Sequence, residues 1–148
     1  MNLSFSSMVA LVSNLAAVPA SPACESDCTA NPQAEITARA AKESLNALLA
    51  AEGLPRPAAA EVLVRRVELD GNPNTVEALV DVLSLETCIG GNCTTLVVRA
   101  TSSGLVAMGH GQLLLPLQSK SCGWTDLTET SLPLLPVRAL RFSNGRYL

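Results

Sequence analysis

The stretch "TVEALVDVLSLETCIGGNCTTLVVRATSSG", Thr75–Gly104, decides the fold. Its first half is compatible with two periods. Val76, Ala78, Val80 and Val82 alternate as in a strand, whereas Val76, Leu79, Val80 and Leu83 fit a helix capped by Asn74 or Thr75. Its second half has one reading. "CTTLVVRA" is a Val/Thr-rich run, "TSSG" is turn composition, and "LVAMGHGQLLLPL" continues as strand. Residues 75–86 are therefore read as strand, because the chain immediately downstream is β. Cys88 and Cys93, enclosing "IGGN", are read as a disulfide clasp across a hairpin turn. A zinc knuckle needs four soft ligands, and His110 is the sole histidine with no second close cysteine pair. A redox pair is spaced C-x-x-C, not C-x4-C.

The neighbouring stretches agree. "EVLVRRVELDG" reads as a strand running into the turn residues "DGNPN". Gly109 and Gly111 suggest a bulge or bend, "VRALRF" alternates, and "SNGR" carries the Asn-Gly hairpin signal. These strands succeed one another with no helix between them, which predicts antiparallel pairing. Upstream, "NPQAEITARAAKESLNALLAAEGLP" is helical. Asn31 caps, Pro32 suits the first turn, and Ala34, Ala38, Ala41, Leu45, Leu48 and Leu49 share one stripe. Gly53 and Pro55 end it. The predicted fold is α+β: an antiparallel β-sheet with one N-terminal amphipathic helix packed on it, disulfide-stapled, in a single domain over residues 33–148.

Residues 1–23 contain no charged side chain, and Met8–Val18 is an apolar run followed by "ASPA". The run is shorter than the roughly 20 residues that span a bilayer. It is read as a secretory signal peptide, followed by a linker over 24–32, with no transmembrane span left after cleavage. Export makes disulfides the first reading of the cysteines. Cys88 pairs with Cys93 by spacing, and Cys28 pairs with Cys122 by elimination once Cys24 is set aside. Cys24 is the odd one of five, and a lipid anchor on it is the alternative, although Ser21 stands where a lipobox has an aliphatic residue. The expected location is periplasmic or secreted, or lipid-anchored through Cys24.

Composition narrows the chemistry. The net charge is −3, and one Trp, one Tyr and two Phe are the only aromatics. No basic stripe with interleaved aromatics appears, so nucleic acid is not an expected partner. No cofactor is expected. Asp70, Asn72 and Asn74 have the alternate spacing of a calcium loop, with Asp81 at the twelfth position. Thr75 stands where the loop glycine belongs, and the acidic loop is expected to bind no calcium at physiological levels. His110 lies between two glycines and can act as a base with Asp126, but there is no G-x-S-x-G elbow, and a lone histidine is more often structural. Trp124, with Arg99, Lys120 or Arg138 nearby, suits an interface hot spot; its other reading is a tryptophan that seals the sheet–helix core. Trp124, Arg99 and His110 are the candidate binding residues.

Three stretches, "ELDGNPNTVEALV", "CIGGNCTTLVV" and "GWTDL…RFSNGRYL", together resemble small exported bacterial proteins of unassigned activity. Those proteins carry a D-x-N-x-D-G loop like that of integrin-α or VCBS repeats, a Cys-Gly-rich-Cys turn, a G-[WY]-x-D-L segment and a closing F-[DN]-G-x-Y. Here the loop is degenerate: Glu68, Asp70 and Asn72 keep alternate spacing, Pro73 replaces the glycine, and one extra residue precedes Glu77. The expected function is a non-catalytic binding or inhibitor module of the bacterial cell envelope, its partner an envelope protein or ligand. The alternatives are a small exported hydrolase with a site around His110, and a structural envelope protein.

Overall fold

The structure is a computed structural model that describes residues 35–131 and 135–148. The signal peptide read over 1–23 and the linker read over 24–32 lie outside the described residues, as do Cys24 and Cys28. The fold is mostly antiparallel β-sheet with one helix. In chain order the elements are α1 (Ala38–Ala51), β1 (Glu61–Val67), β2 (Val76–Leu83), β3 (Cys88–Ile89), β4 (Asn92–Thr101), β5 (Gly104–Gln112), β6 (Leu115–Ser121), β7 (Trp124–Ser131), β8 (Leu135–Leu140), β9 (Phe142–Ser143) and β10 (Arg146–Tyr147). The main sheet runs β1-β2-β4-β5, with the short β3 folded back on the start of β4. A second sheet runs β6-β7-β8, and β9 and β10 form a two-stranded hairpin.

Residues 76–83 are a strand, and the period of two explains how it is used. Val76, Ala78, Val80 and Val82 face α1, in one core with Leu96, Val98 and Ala100 of β4 and with Ala41, Leu45, Leu48 and Leu49 of the helix. Each fully buried Leu there contributes about 1.5–3 kcal/mol relative to leaving it exposed. The odd residues of β2 up to Asp81 are buried as well. Leu79 and Val97 join Met108, Trp124, Leu127, Leu140, Phe142 and Tyr147 in a second core on the opposite face. The second sheet and the terminal hairpin cover that face. One sheet was expected, and the covering layer was not.

The hairpin turns follow from residues that accept positive φ. Gly90-Gly91, Cys122-Gly123 and Asn144-Gly145 are two-residue turns with both φ positive, the primed geometry that matches strand twist. In the first of them Cys88 stands directly opposite Cys93, and the two form a disulfide. Gly109 sits at a β-bulge opposite Val97/Val98, as its sequence context predicts. A side chain there would lie 2.9 Å from the Cβ of Tyr147, so its absence lets β10 approach β5.

Two boundaries need correction. The helix is not N-terminal: it begins at Ala38, inside the chain. Thr37 is its N-cap, with Oγ1 accepting from the Ala40 N–H at 3.0 Å. The expected cap, Asn31, lies outside the described residues. Ala38 is exposed, and Ile36 is buried ahead of the helix instead. Gly53, at φ 68°, follows the C-cap as expected. "LVAMGHGQLLLPL" is two strands, broken where Leu113 takes φ 45°.

Candidate functional site

The second core holds buried charge as well as apolar side chains. Glu77 from β2 and Arg99 from β4 are in register with each other and point into it. Both are buried, as is Asp126 of β7. The loop after β1 adds Glu68 and Asp70. Glu68, Asp70 and Glu77 each offer a carboxylate oxygen, and these oxygens all lie within 4.8 Å of one another. Glu68 is exposed at the rim, while Glu77 is 1% exposed at the floor.

Asp70 is held firmly. Its Oδ1 accepts from the Asn72 N–H at 2.8 Å, and its Oδ2 accepts from the Thr75 hydroxyl at 2.6 Å. Arg99 Nη2 is 3.8 Å from the same Oδ2, and the guanidinium carbon stands 5.6 Å from the ring centre of Trp124. That is cation–π range. Trp124 stacks on Phe142 at 3.9 Å, and Tyr147 meets both rings edge-on. The Tyr147 hydroxyl donates to the Thr125 carbonyl at 2.7 Å.

Glu77 differs from its neighbours. Neither carboxylate oxygen has a hydrogen-bond partner. Burial, and next the negative charge of Asp70, push its carboxyl up to about 7. Loss of solvent at Glu68, reinforced by Asp70, raises that carboxyl too. Burial, with the charges of Glu77, Asp126 and Asp70, pushes the Tyr147 phenol up. Asp126 Oδ1 and Arg99 Nε and Nη2 are also buried without hydrogen bonds. Such a centre can hold a proton or a hard cation, since either neutralises clustered carboxylates.

The predicted calcium set is dispersed. Asp70 points into the cluster, but Asn74 is exposed, and Asn72 Oδ1 accepts from the Asn74 N–H at 2.9 Å. Glu68 and Glu77 are the carboxylates that converge with Asp70. Trp124 and Arg99 are both buried, so neither presents itself to a partner. Trp124 seals the core between the two sheets and not the one under the helix. The His110–Asp126 pair is not formed. His110 Nδ1 lies 2.7 Å from Glu52 Oε2, and Arg146 Nη2 donates to the same oxygen at 2.8 Å. Glu52 follows α1 and its side chain is 1% exposed, so this node ties helix, β5 and β10 together. Cys122 is disulfide-bonded, and the partner read for it, Cys28, lies outside the described residues.

Two residues that the sequence reading named without placing them in a core share a signal. Glu77 and Asp81 occupy odd positions of β2, the face that reads as solvent-exposed because it carries the charges. Asp81 is 7% exposed; it accepts two bonds from Arg65 at 2.7 Å each and one from the Thr95 hydroxyl at 2.6 Å. Among the described residues, no helix is long and apolar enough to cross a membrane. No family model matches this sequence, and no curated protein or solved structure matches it either.

Proposed function

We propose that this chain is an exported, non-catalytic binding module of the bacterial cell envelope. On this reading residues 1–23 are its signal peptide, and the helix packed on the sheet is a scaffold behind a docking face. One observation supports the reading most. The second sheet leaves one end of the main sheet uncovered. Leu63 is 52% and Leu83 41% exposed. Leu63 pairs with Asp81 and Glu61 with Leu83, so Leu63 and Leu83 are diagonal neighbours on one face. The Arg65–Asp81 ion pair lies beside them on that face, and β1 has β2 as its one neighbouring strand among the described residues. Grouped exposed aliphatics beside a free strand edge favour docking of another chain. The resemblance to small exported proteins points to an envelope partner.

The test is capture from envelope extract with the wild-type chain and with a Leu63→Lys/Leu83→Lys variant. A partner retained by the wild type and lost by the equally folded variant supports the reading. Equal capture by both places the interaction elsewhere. A small exported hydrolase around His110 is the second reading. It has one observation behind it: a half-buried imidazole oriented by a carboxylate, the geometry of a general base. Among the described residues Glu52 is the hydrogen-bond partner of that ring, with no hydroxyl bonded to it.

A further inference from the structure

We infer that Glu68, Asp70 and Glu77 form a binding site for a divalent cation of the calcium class. Two observations carry this. The first is convergence: three carboxylates, two from the loop after β1 and one from β2, bring oxygens within 4.8 Å of one another. The second is the state of Glu77. Its carboxylate is almost wholly buried and aimed into the cluster, yet neither oxygen has a hydrogen-bond partner. Buried polar atoms are nearly always satisfied, and a bare buried carboxylate is costly.

The charge balance points the same way. The charged groups that act on the cluster are Glu68 and Asp70 from the loop, Glu77 from β2, Arg66 from β1, Arg99 from β4 and Asp126 from β7, with the Tyr147 phenol beside them from β10. Four carboxylates, Asp126 included, against the guanidiniums of Arg66 and Arg99 leave two negative charges uncompensated. A divalent ion supplies that amount. The donor atoms are all hard oxygens, which suits calcium over a transition metal. Glu68 at the exposed rim gives an entry path, and solvent there can complete the coordination shell. The asparagines of the loop are not needed as ligands.

The full-length mature protein, stripped with chelator and returned to buffer at pH 7.5, provides the test. Calcium chloride titrated to 1 mM should raise the melting temperature saturably by about 5 °C or more. Magnesium should do markedly less, because it tolerates irregular geometry poorly. Glu77→Gln should abolish the calcium shift. Should that variant fail to fold, Glu68→Ala serves instead: Glu68 is exposed, so its removal spares the core and should weaken the shift several-fold. No shift in the wild type at 1 mM overturns the assignment, as does a shift that Glu77→Gln or Glu68→Ala leaves unchanged. Docking at the Leu63 face is independent of the outcome.

Discussion

Glu77→Gln should abolish most of the pH dependence of stability in the metal-free protein. The wild-type carboxyl moves from an ordinary value of 4.5 in the unfolded chain to about 7 in the folded one. A folded-state value raised above the unfolded one means that the native protein binds the proton more tightly. The associated stability is fully present below pH 4.5 and is lost as pH rises through 7. The displacement corresponds to about 3 kcal/mol between those limits. Gln resembles protonated Glu in shape and cannot ionise, so the variant should lose this slope. Its absolute stability at pH 8 is less diagnostic, because an amide without partners costs about 1–3 kcal/mol in the same place. Urea unfolding in chelator at half-unit steps from pH 4.5 to 8 measures both proteins. Glu68, raised in the same direction, adds a smaller fall that both proteins share. A wild-type stability that is flat or rising from pH 5 to 7.5, or an undiminished slope in Glu77→Gln, would refute the reasoning.

Three further outcomes are expected. Cys88→Ser with Cys93→Ser should leave a folded protein about 2 kcal/mol less stable, since the disulfide closes only a short loop in a hairpin already in register; the urea midpoint at unchanged m-value reads it. Cys122→Ser should cost about 4–5 kcal/mol, for a loop of roughly 95 residues, and expose one thiol on Cys28; non-reducing peptide mapping that finds Cys24 joined to Cys122 contradicts that pairing. Glu52→Ala strips Arg146 and His110 of a shared partner and should cost about 1–2 kcal/mol, since both remaining side chains reach solvent. Hydrogen exchange should then accelerate first in the 142–147 hairpin, and uniform acceleration across the main sheet would count against a local tie.

The parts of the fold that were legible in the sequence are those written in local chemistry. Gly90-Gly91 and Asn144-Gly145 accept positive φ, and their turns stand where those pairs predict. The Cys88–Cys93 clasp is legible from spacing and turn composition. Strand over helix at 76–83 was settled by the Val/Thr-rich run after it, because a central strand needs partners on both sides. The second sheet was hidden for a physical reason. "WTDLTETS" shows no apolar alternation, because Asp126, Thr128 and Thr130 are buried there as polar groups. Without that layer, Glu77, Asp81 and Arg99 read as solvent-facing charges on one side of a sheet. With it, Glu77 and Arg99 become a buried centre whose spacing along the chain gives no hint of contact. The helix α1 starts where the Thr37 hydroxyl bonds the Ala40 N–H, a cap that the stronger-looking Asn31-Pro32 signal upstream, outside the described residues, obscured in the sequence.

The most direct test of the proposed function is photo-cross-linking in intact cells, with the cross-linking residue placed at Leu63 or Leu83 on the uncovered end of the sheet and, as control, at Glu43 on the exposed side of the helix. A discrete, larger species formed from Leu63 and Leu83 but not from Glu43 is the predicted result. Cross-links from Glu43 alone, or none from any position in an exported and folded protein, would contradict a docking face at Leu63 and Leu83.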